Sequence, residues 1–330
     1  MSDDLLLAVR QQIADGQLIS RGARIVVGVS GGLDSVTLLD LLATLQAPMK
    51  LRLRIGHLDH AMREESADDR AFVETLGARY GIPVTATRRN ISAVAVTQGW
   101  SLEDAARRTR YAFLLEVART YSADTICVAH TADDQAETVL MRLLRGTGIL
   151  GLAAMPPKRR LADAWLARPL LSVWRRDIRR YATDRHLMFR EDPSNLDRRF
   201  LRNRVRHDLL PLLVRDYNPQ LPVALVQLAE QCQDDSVALE QWAARQRGRT
   251  MMVRPHIVVL SLPVWKRQPV AIRRQLLRSA IAHLTHDGGQ MEFRHWLEVD
   301  QLVDHRPVGT ILDLPGGVQL ERREKTLVCR

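Results

Sequence analysis

A chain of 330 residues with a formal net charge of +10 is long enough for two domains, each burying its own core. It holds no apolar run of membrane-spanning length and opens Met-Ser-Asp-Asp, without the basic and apolar regions of a signal peptide; Cys127, Cys232 and Cys329 lie too far apart for a C-x-x-C metal or redox pair. These features argue against a membrane protein and a disulfide scaffold, and predict a cytoplasmic protein.

The first element is the β-branched run Ile25, Val26, Val27 and Val29, suited to a strand buried on both faces, and Val36, Leu38, Leu39, Leu41 and Leu42 follow at helical spacing. Between them stands Ser30-Gly31-Gly32-Leu33-Asp34-Ser35. Glycines let this turn approach a ligand closely, and the unpaired N–H groups of a helix start attract a phosphate oxyanion. The stretch has no lysine of the P-loop kind and no GxGxxG dinucleotide pattern, so a phosphate site of another type is expected.

Strand and helix patterns then alternate: a strand in LRLRIGHLDH, a helix over 64–80, a strand in VTATRR, a helix over 101–121 capped by Ser101 with Asp104 three residues on, a strand in DTICVAH, and a helix over 134–145. This succession predicts an α/β fold with a doubly wound parallel sheet and ligands at the carboxyl ends of its strands. His130 falls at such an end. Asp133, Asp134 and Glu137 follow in the first turns of the next helix, where Asp134 and Glu137, three apart, share a face. Carboxylates there suit magnesium bound together with phosphates, and acids at a helix start also favour the helix dipole.

From about residue 150 the pattern reads as helical and basic, broken by MPPK and EDPSN. Residues 142–216 carry a net +10, against −3 before and +3 after, with Trp165, Trp174, Tyr181, Phe189 and Phe200 among the arginines. Such a segment fits a polyanion partner, with a solvated arginine-rich face as the lesser alternative. A boundary is expected near DYNPQLP, giving domains over 1–216, with a basic helical part at 150–216, and over 217–330. The second is expected to be a smaller helical or α+β domain of two or three helices and short strands turning at Pro315-Gly316-Gly317.

The loop after the first strand resembles the pyrophosphate loop of the PP-loop ATP pyrophosphatases, whose fold is adenine nucleotide α-hydrolase-like and which cleave ATP between its α and β phosphates to adenylate a carbonyl oxygen. In order, SGGLDS, HLDHAMREES, SLEDAARRTRYAF, HTADDQAET, RLLRGTGILGL, RPLL, EDPSN and RNRVRHDLLPLL, within residues 24–213, resemble the bacterial tRNA(Ile)-lysidine synthetases. The tail LPGGVQLERREKTLVCR is similar to that family's first C-terminal module, and the second module of its longer members is expected to be absent.

The resemblance implies a two-step ligation. ATP adenylates the C2 carbonyl oxygen of the wobble cytidine of a CAU-anticodon tRNA(Ile), and the ε-amino group of free L-lysine then displaces AMP to leave lysidine. It implies that Ser30, Gly31, Gly32, Leu33, Asp34 and Ser35 cradle the pyrophosphate and that Asp34, with Asp134, holds Mg2+. By the same resemblance the backbone at Gly56 and His57 lines the adenine pocket, Arg110 faces the nucleotide phosphates, His130, Asp134 and Glu137 form the helix-start cluster whose acids receive lysine, and Arg202 and Arg206 approach the site with tRNA or bind phosphate on its rim. A homodimer is also implied. Three other readings share some residues: a tRNA-cytidine thiolase, whose related members carry a C-x-x-C pair missing here; an amidotransferase synthetase, which would lack the arginine-rich segment; and a nucleotide-binding regulator without turnover, which would not need Arg110, Asp134 and Glu137 together.

Overall fold

The computed structural model describes residues 2–60, 66–191, 197–285 and 291–330; parts of the HLDHAMREES and EDPSN motifs, residues 61–65 and 192–196, lie outside the described residues. Contacts divide the chain into two compact units, Met1–Met141 with Ala154–Gln227 and Arg142–Ala153 with Leu228–Arg330.

The first half runs α1 (Ser2–Asp15), β1 (Arg24–Gly28), α2 (Leu33–Met49), β2 (Arg52–Asp59), α3 (Ser66–Tyr80), β3 (Val84–Arg88), α4 (Ile91–Gln98), α5 (Leu102–Tyr121), β4 (Thr125–Cys127), α6 (Ala132–Leu144) and the short α7 (Ile149–Leu152). There follow β5 (Lys158–Leu161), β6 (Ala164–Ala167), α8 (Arg175–Asp184), α9 (Leu201–Arg204), a π-helical turn (Val205–Leu209) and α10 (Leu210–Asp216). The helix α11 (Leu221–Thr250) leads to β7 (Met251–Arg254), β8 (Ile257–Ser261), α12 (Leu262–Lys266), α13 (Val270–Leu284), α14 (Phe293–Asp304), β9 (Ile311–Leu314), β10 (Val318–Arg322) and β11 (Thr326–Cys329).

The first unit is built on a six-stranded sheet in the order β3-β2-β1-β4-β6-β5. All pairs are parallel except the edge pair β5–β6. Central position explains the composition of β1: Ile25, Val26 and Val27 are fully buried, packed from both faces of the sheet. The chain leaves β1 toward β2 and β3 and then returns to β4 on the other side. The strand order reverses between β1 and β4, which is where ligands bind in such sheets. The SGGLDS loop and the HTADD segment are the two connections that leave these strand ends.

The basic segment is not helical throughout. Lys158–Leu161 and Ala164–Ala167 extend the sheet, with β6 lying parallel to β4 and β5 antiparallel to β6. Four-residue strands offer too few alternations for a period to show, and arginines on an edge strand resemble a solvated helix face. The domain division also falls further on than the sequence reading sets it, at Gln227 inside α11. Pro222 begins that helix, a position where its missing N–H costs nothing.

The second unit holds a five-stranded antiparallel sheet in the order β7-β8-β11-β10-β9. Its core gathers Val258, Leu260, Leu320 and Leu327 from the sheet with Trp265, Leu276, Leu277 and Trp296 from α12, α13 and α14. The turn between β9 and β10 places Gly316 and Gly317 at φ +84° and +76°, a conformation that L side chains rarely adopt.

Candidate active site

The SGGLDS loop is held by its own serines. Ser35 Oγ donates to the Gly32 carbonyl at 2.9 Å and accepts from the Ser30 N–H at 3.2 Å, and the two hydroxyls are 3.1 Å apart. Gly31 takes φ +93°, which a side chain would strain, and its carbonyl accepts from the Arg190 N–H. No side chain caps α2 at Gly32, so Leu33 and Asp34 begin a helix whose first N–H groups remain available to an anion.

Asp34 projects from this first turn. Its Oδ2 accepts from Arg175 Nη2 at 2.7 Å and from Nε at 3.0 Å, while Oδ1 is buried with no hydrogen-bond partner among the described residues. Burial pushes the Asp34 carboxyl above its ordinary value, outweighing the lowering by Arg175. A buried, unpaired carboxylate oxygen beside an anion-ready helix start fits a divalent cation that shares its shell with phosphate oxygens. Asp134 fits less well, since both its oxygens are occupied.

Gly56 and His57 stand on β2 beside the loop, Gly56 in register with Gly28. A Cβ on Gly56 would lie 2.7 Å from Leu114 Cδ2, so the glycine lets α5 pack against the strand. His57 is buried, its Nδ1 donates to the Val29 carbonyl at 2.9 Å, and its Nε2 is buried with no partner among the described residues. Both residues brace the strand end from which the loop departs.

The acid pair opens α6. Thr131 and Asp134 form a reciprocal cap: Asp134 Oδ2 accepts from the Thr131 N–H and hydroxyl at 2.9 and 3.1 Å, and the Asp134 N–H donates to Thr131 Oγ1 at 3.3 Å. Asp134 Oδ1 then accepts from Arg202 and Arg206 at 3.0 and 2.9 Å. Glu137, whose side chain is 2% exposed, accepts from Arg202 Nε at 2.9 Å and from Arg206 Nε at 2.5 Å. Burial alone would raise the Asp134 pKa; Arg202, His130, Arg175 and Arg206 together hold it well below the usual carboxylate range.

Arg202 ends up on this face because α9 and the π turn bring residues four apart into line. The Leu210 N–H reaches back five residues to the Val205 carbonyl, and Pro211, which has no N–H, follows at once. Arg110, on α5, contacts His60 Nε2 at 3.5 Å. Its side chain is solvent-accessible but recessed among surrounding protein, which pushes its pKa below the usual arginine value, with Arg202 contributing. His130 is half-buried at the end of β4, and burial, followed by Arg168, Arg202 and Arg110, lowers it to about 3.

These groups form one electrostatic unit. Asp34 is influenced by Asp134 and Arg206, and Arg175 by Asp134 and Glu137. Among the described residues no group of three or more His, Cys, Asp or Glu side chains could hold a metal by itself.

Two residues that the sequence reading leaves out of the site, Arg175 among the arginines it assigns to a polyanion partner, belong here. Arg175 stands in the arginine run of α8, yet its side chain turns to Asp34, and its N–H donates to Asp133 Oδ2 at 2.8 Å, so that Asp133 caps α8. Arg168, within the RPLL motif, donates to His130. Only the motif itself could have pointed to Arg168. Nothing in the spacing separates Arg175 from Arg176, Arg179 and Arg180.

Residues 6–213 match the PP-loop domain family, and residues 260–328 match the TilS substrate binding domain. The tRNA(Ile)-lysidine synthase of Geobacter sulfurreducens is 41% identical over 97% of this chain and 68% of its own length. That of Dehalococcoides mccartyi is 33% identical over 93% of this chain and 66% of its own length. This chain thus spans about two thirds of these relatives. A U34-tRNA thiolase from Methanococcus maripaludis superposes with a TM-score of 0.58 at 17% identity, covering 69% of this chain and 78% of that one, which shows a shared PP-loop fold. With the loop, the paired acids and the two matched domains in one chain, the protein belongs to the tRNA(Ile)-lysidine synthase family of PP-loop enzymes.

Proposed function

We propose that this chain joins L-lysine to C2 of the wobble cytidine in a CAU-anticodon tRNA(Ile), through an adenylated tRNA, with release of pyrophosphate and AMP. The observation that carries the reading is the buried acid pair Asp134 and Glu137, countered by Arg202 and Arg206, in the same unit as the SGGLDS loop.

In the first step the SGGLDS loop and the open N–H groups of α2 receive the β and γ phosphates, and Arg110 and Arg175 supply positive charge where the α–β bond breaks. Asp34 is the residue that would hold Mg2+, which when bound neutralises charge on the leaving pyrophosphate. In the second step Asp134 and Glu137 receive an ammonium group of lysine. Both acids already carry arginine partners, so the amine must exchange with an Arg202 or Arg206 contact. The exposed arginines of α8 and, in the second unit, the Arg274 and Arg278 guanidiniums over Trp296 offer charge and stacking surfaces suited to RNA.

Incubation with α-labelled ATP and tRNA transcripts, without lysine, tests the reading. Labelled AMP should become attached to the CAU isoleucine transcript and be discharged on adding lysine. Pyrophosphate release independent of tRNA would overturn it.

A further inference from the structure

Arg168 takes no part in the steps above. It follows β6 directly and is 3% exposed; its Nη1 donates to the Pro156 carbonyl at 2.6 Å and its Nε donates to His130 Nδ1 at 3.2 Å. It also donates a hydrogen bond to the Tyr111 hydroxyl oxygen. A guanidinium has five N–H donors and no acceptor, so Nδ1 of His130 must present a lone pair. A neutral imidazole with its lone pair on Nδ1 carries its proton on Nε2. Among the described residues none is hydrogen-bonded to that Nε2.

We infer that Arg168 is a positioning residue that fixes His130 as the Nε2-protonated tautomer, so that His130 serves the reaction as a hydrogen-bond donor to a substrate oxygen and not as a base. The protonated Nε2 has no lone pair to take a proton from the lysine ammonium, and Nδ1 is covered by Arg168. Burial and the cations Arg168, Arg202 and Arg110 oppose a second proton on the ring. A neutral donor at the strand end next to the one from which the SGGLDS loop departs suits an oxygen on which negative charge grows. The α-phosphoryl oxygen and the cytidine C2 carbonyl oxygen share that chemistry. The inference rests on the proposed reaction for the identity of the oxygen; the tautomer itself does not depend on it.

Two-bond proton–nitrogen spectra of the full chain labelled with nitrogen-15 histidine test the tautomer directly. One of the ten histidine rings, assigned by its loss in His130→Asn, should be a neutral Nε2-protonated imidazole that does not titrate between about pH 5 and 8. In Arg168→Met the same ring should show mixed tautomers, and AMP transfer to tRNA should lose about tenfold or more in kcat with the KM for ATP nearly unchanged. Arg168→Lys, which also only donates, should recover part of both. An Nδ1-protonated or normally titrating His130 in the wild-type chain would overturn the inference, as would an Arg168→Met spectrum identical to wild type. If Arg168→Met does not fold, the wild-type spectrum decides. Loss of tRNA adenylation with the wild-type tautomer intact would count against the proposed reaction and leave the tautomer standing.

Discussion

At the scale of single residues, the proposed reaction divides its chemistry between Asp34 and Glu137. Asp34 keeps one oxygen on Arg175 and one buried without a partner among the described residues. Asp34→Asn retains the shape and removes the charge, so adenylation of tRNA should fall by about a hundredfold or more while tRNA affinity changes little, as read by pyrophosphate release and filter binding. Retention of more than about a tenth of wild-type adenylation would mean that the carboxylate does not hold the metal. Glu137 meets two guanidiniums, which in the proposed reaction an incoming amine must partly displace. Glu137→Gln should therefore raise the KM for lysine far more than that for ATP, with adenylated tRNA accumulating at low lysine. An effect on ATP alone would place Glu137 with the nucleotide.

At the scale of elements, α8 carries two sets of arginines, one inward and one exposed, that its sequence does not separate. Arg176, Arg179 and Arg180 have side chains 78, 62 and 63% exposed, while Arg175 turns inward to Asp34. Replacing the three exposed arginines by alanine should flatten the salt dependence of tRNA binding, by roughly 0.9 in the log–log slope for each phosphate no longer neutralised, and leave the KM for ATP unchanged; Arg175→Ala should do the reverse. A slope unaltered by the triple change would make those arginines a solvated face only. Sequence made legible what rests on local rules. Ser101 caps α5 by accepting from the Asp104 N–H at 3.2 Å, and Gly31 turns the loop at positive φ. What stayed hidden depends on interactions between distant segments: Arg175 on Asp34 is 141 residues removed, and Arg202 on Asp134 is 68. The resemblance singles out Gly56 for an adenine pocket, while its packing demand comes from Leu114 on α5, so Gly56→Ala should cost about 1–3 kcal/mol in a urea titration.

At the scale of the whole molecule, the concentration of charge in the site links stability to pH. His130 falls from an ordinary 6.5 to about 3 in the folded chain. Below about pH 6.5 the unfolded chain therefore takes up a proton that the native chain refuses, and stability should fall as pH drops from there toward 3. Asp134, held below its ordinary 3.8, adds stability that is present above that value and lost on further acidification. Urea midpoints against pH should show this decline, and His130→Asn should remove its upper part. The family was legible because eight motifs stand in order within residues 24–213 and the tail resembles the same family, whereas β5 and β6 were too short to announce themselves. The central claim is that these units together transfer lysine to one tRNA. Incubating the chain with ATP, radiolabelled lysine and total bacterial tRNA, then isolating the labelled RNA and mapping the label, tests it most directly. The account expects label on the wobble cytidine of the CAU isoleucine tRNA and none on the methionine tRNAs that share the anticodon; ATP consumption with no label in RNA, or label spread over other tRNAs, would contradict it.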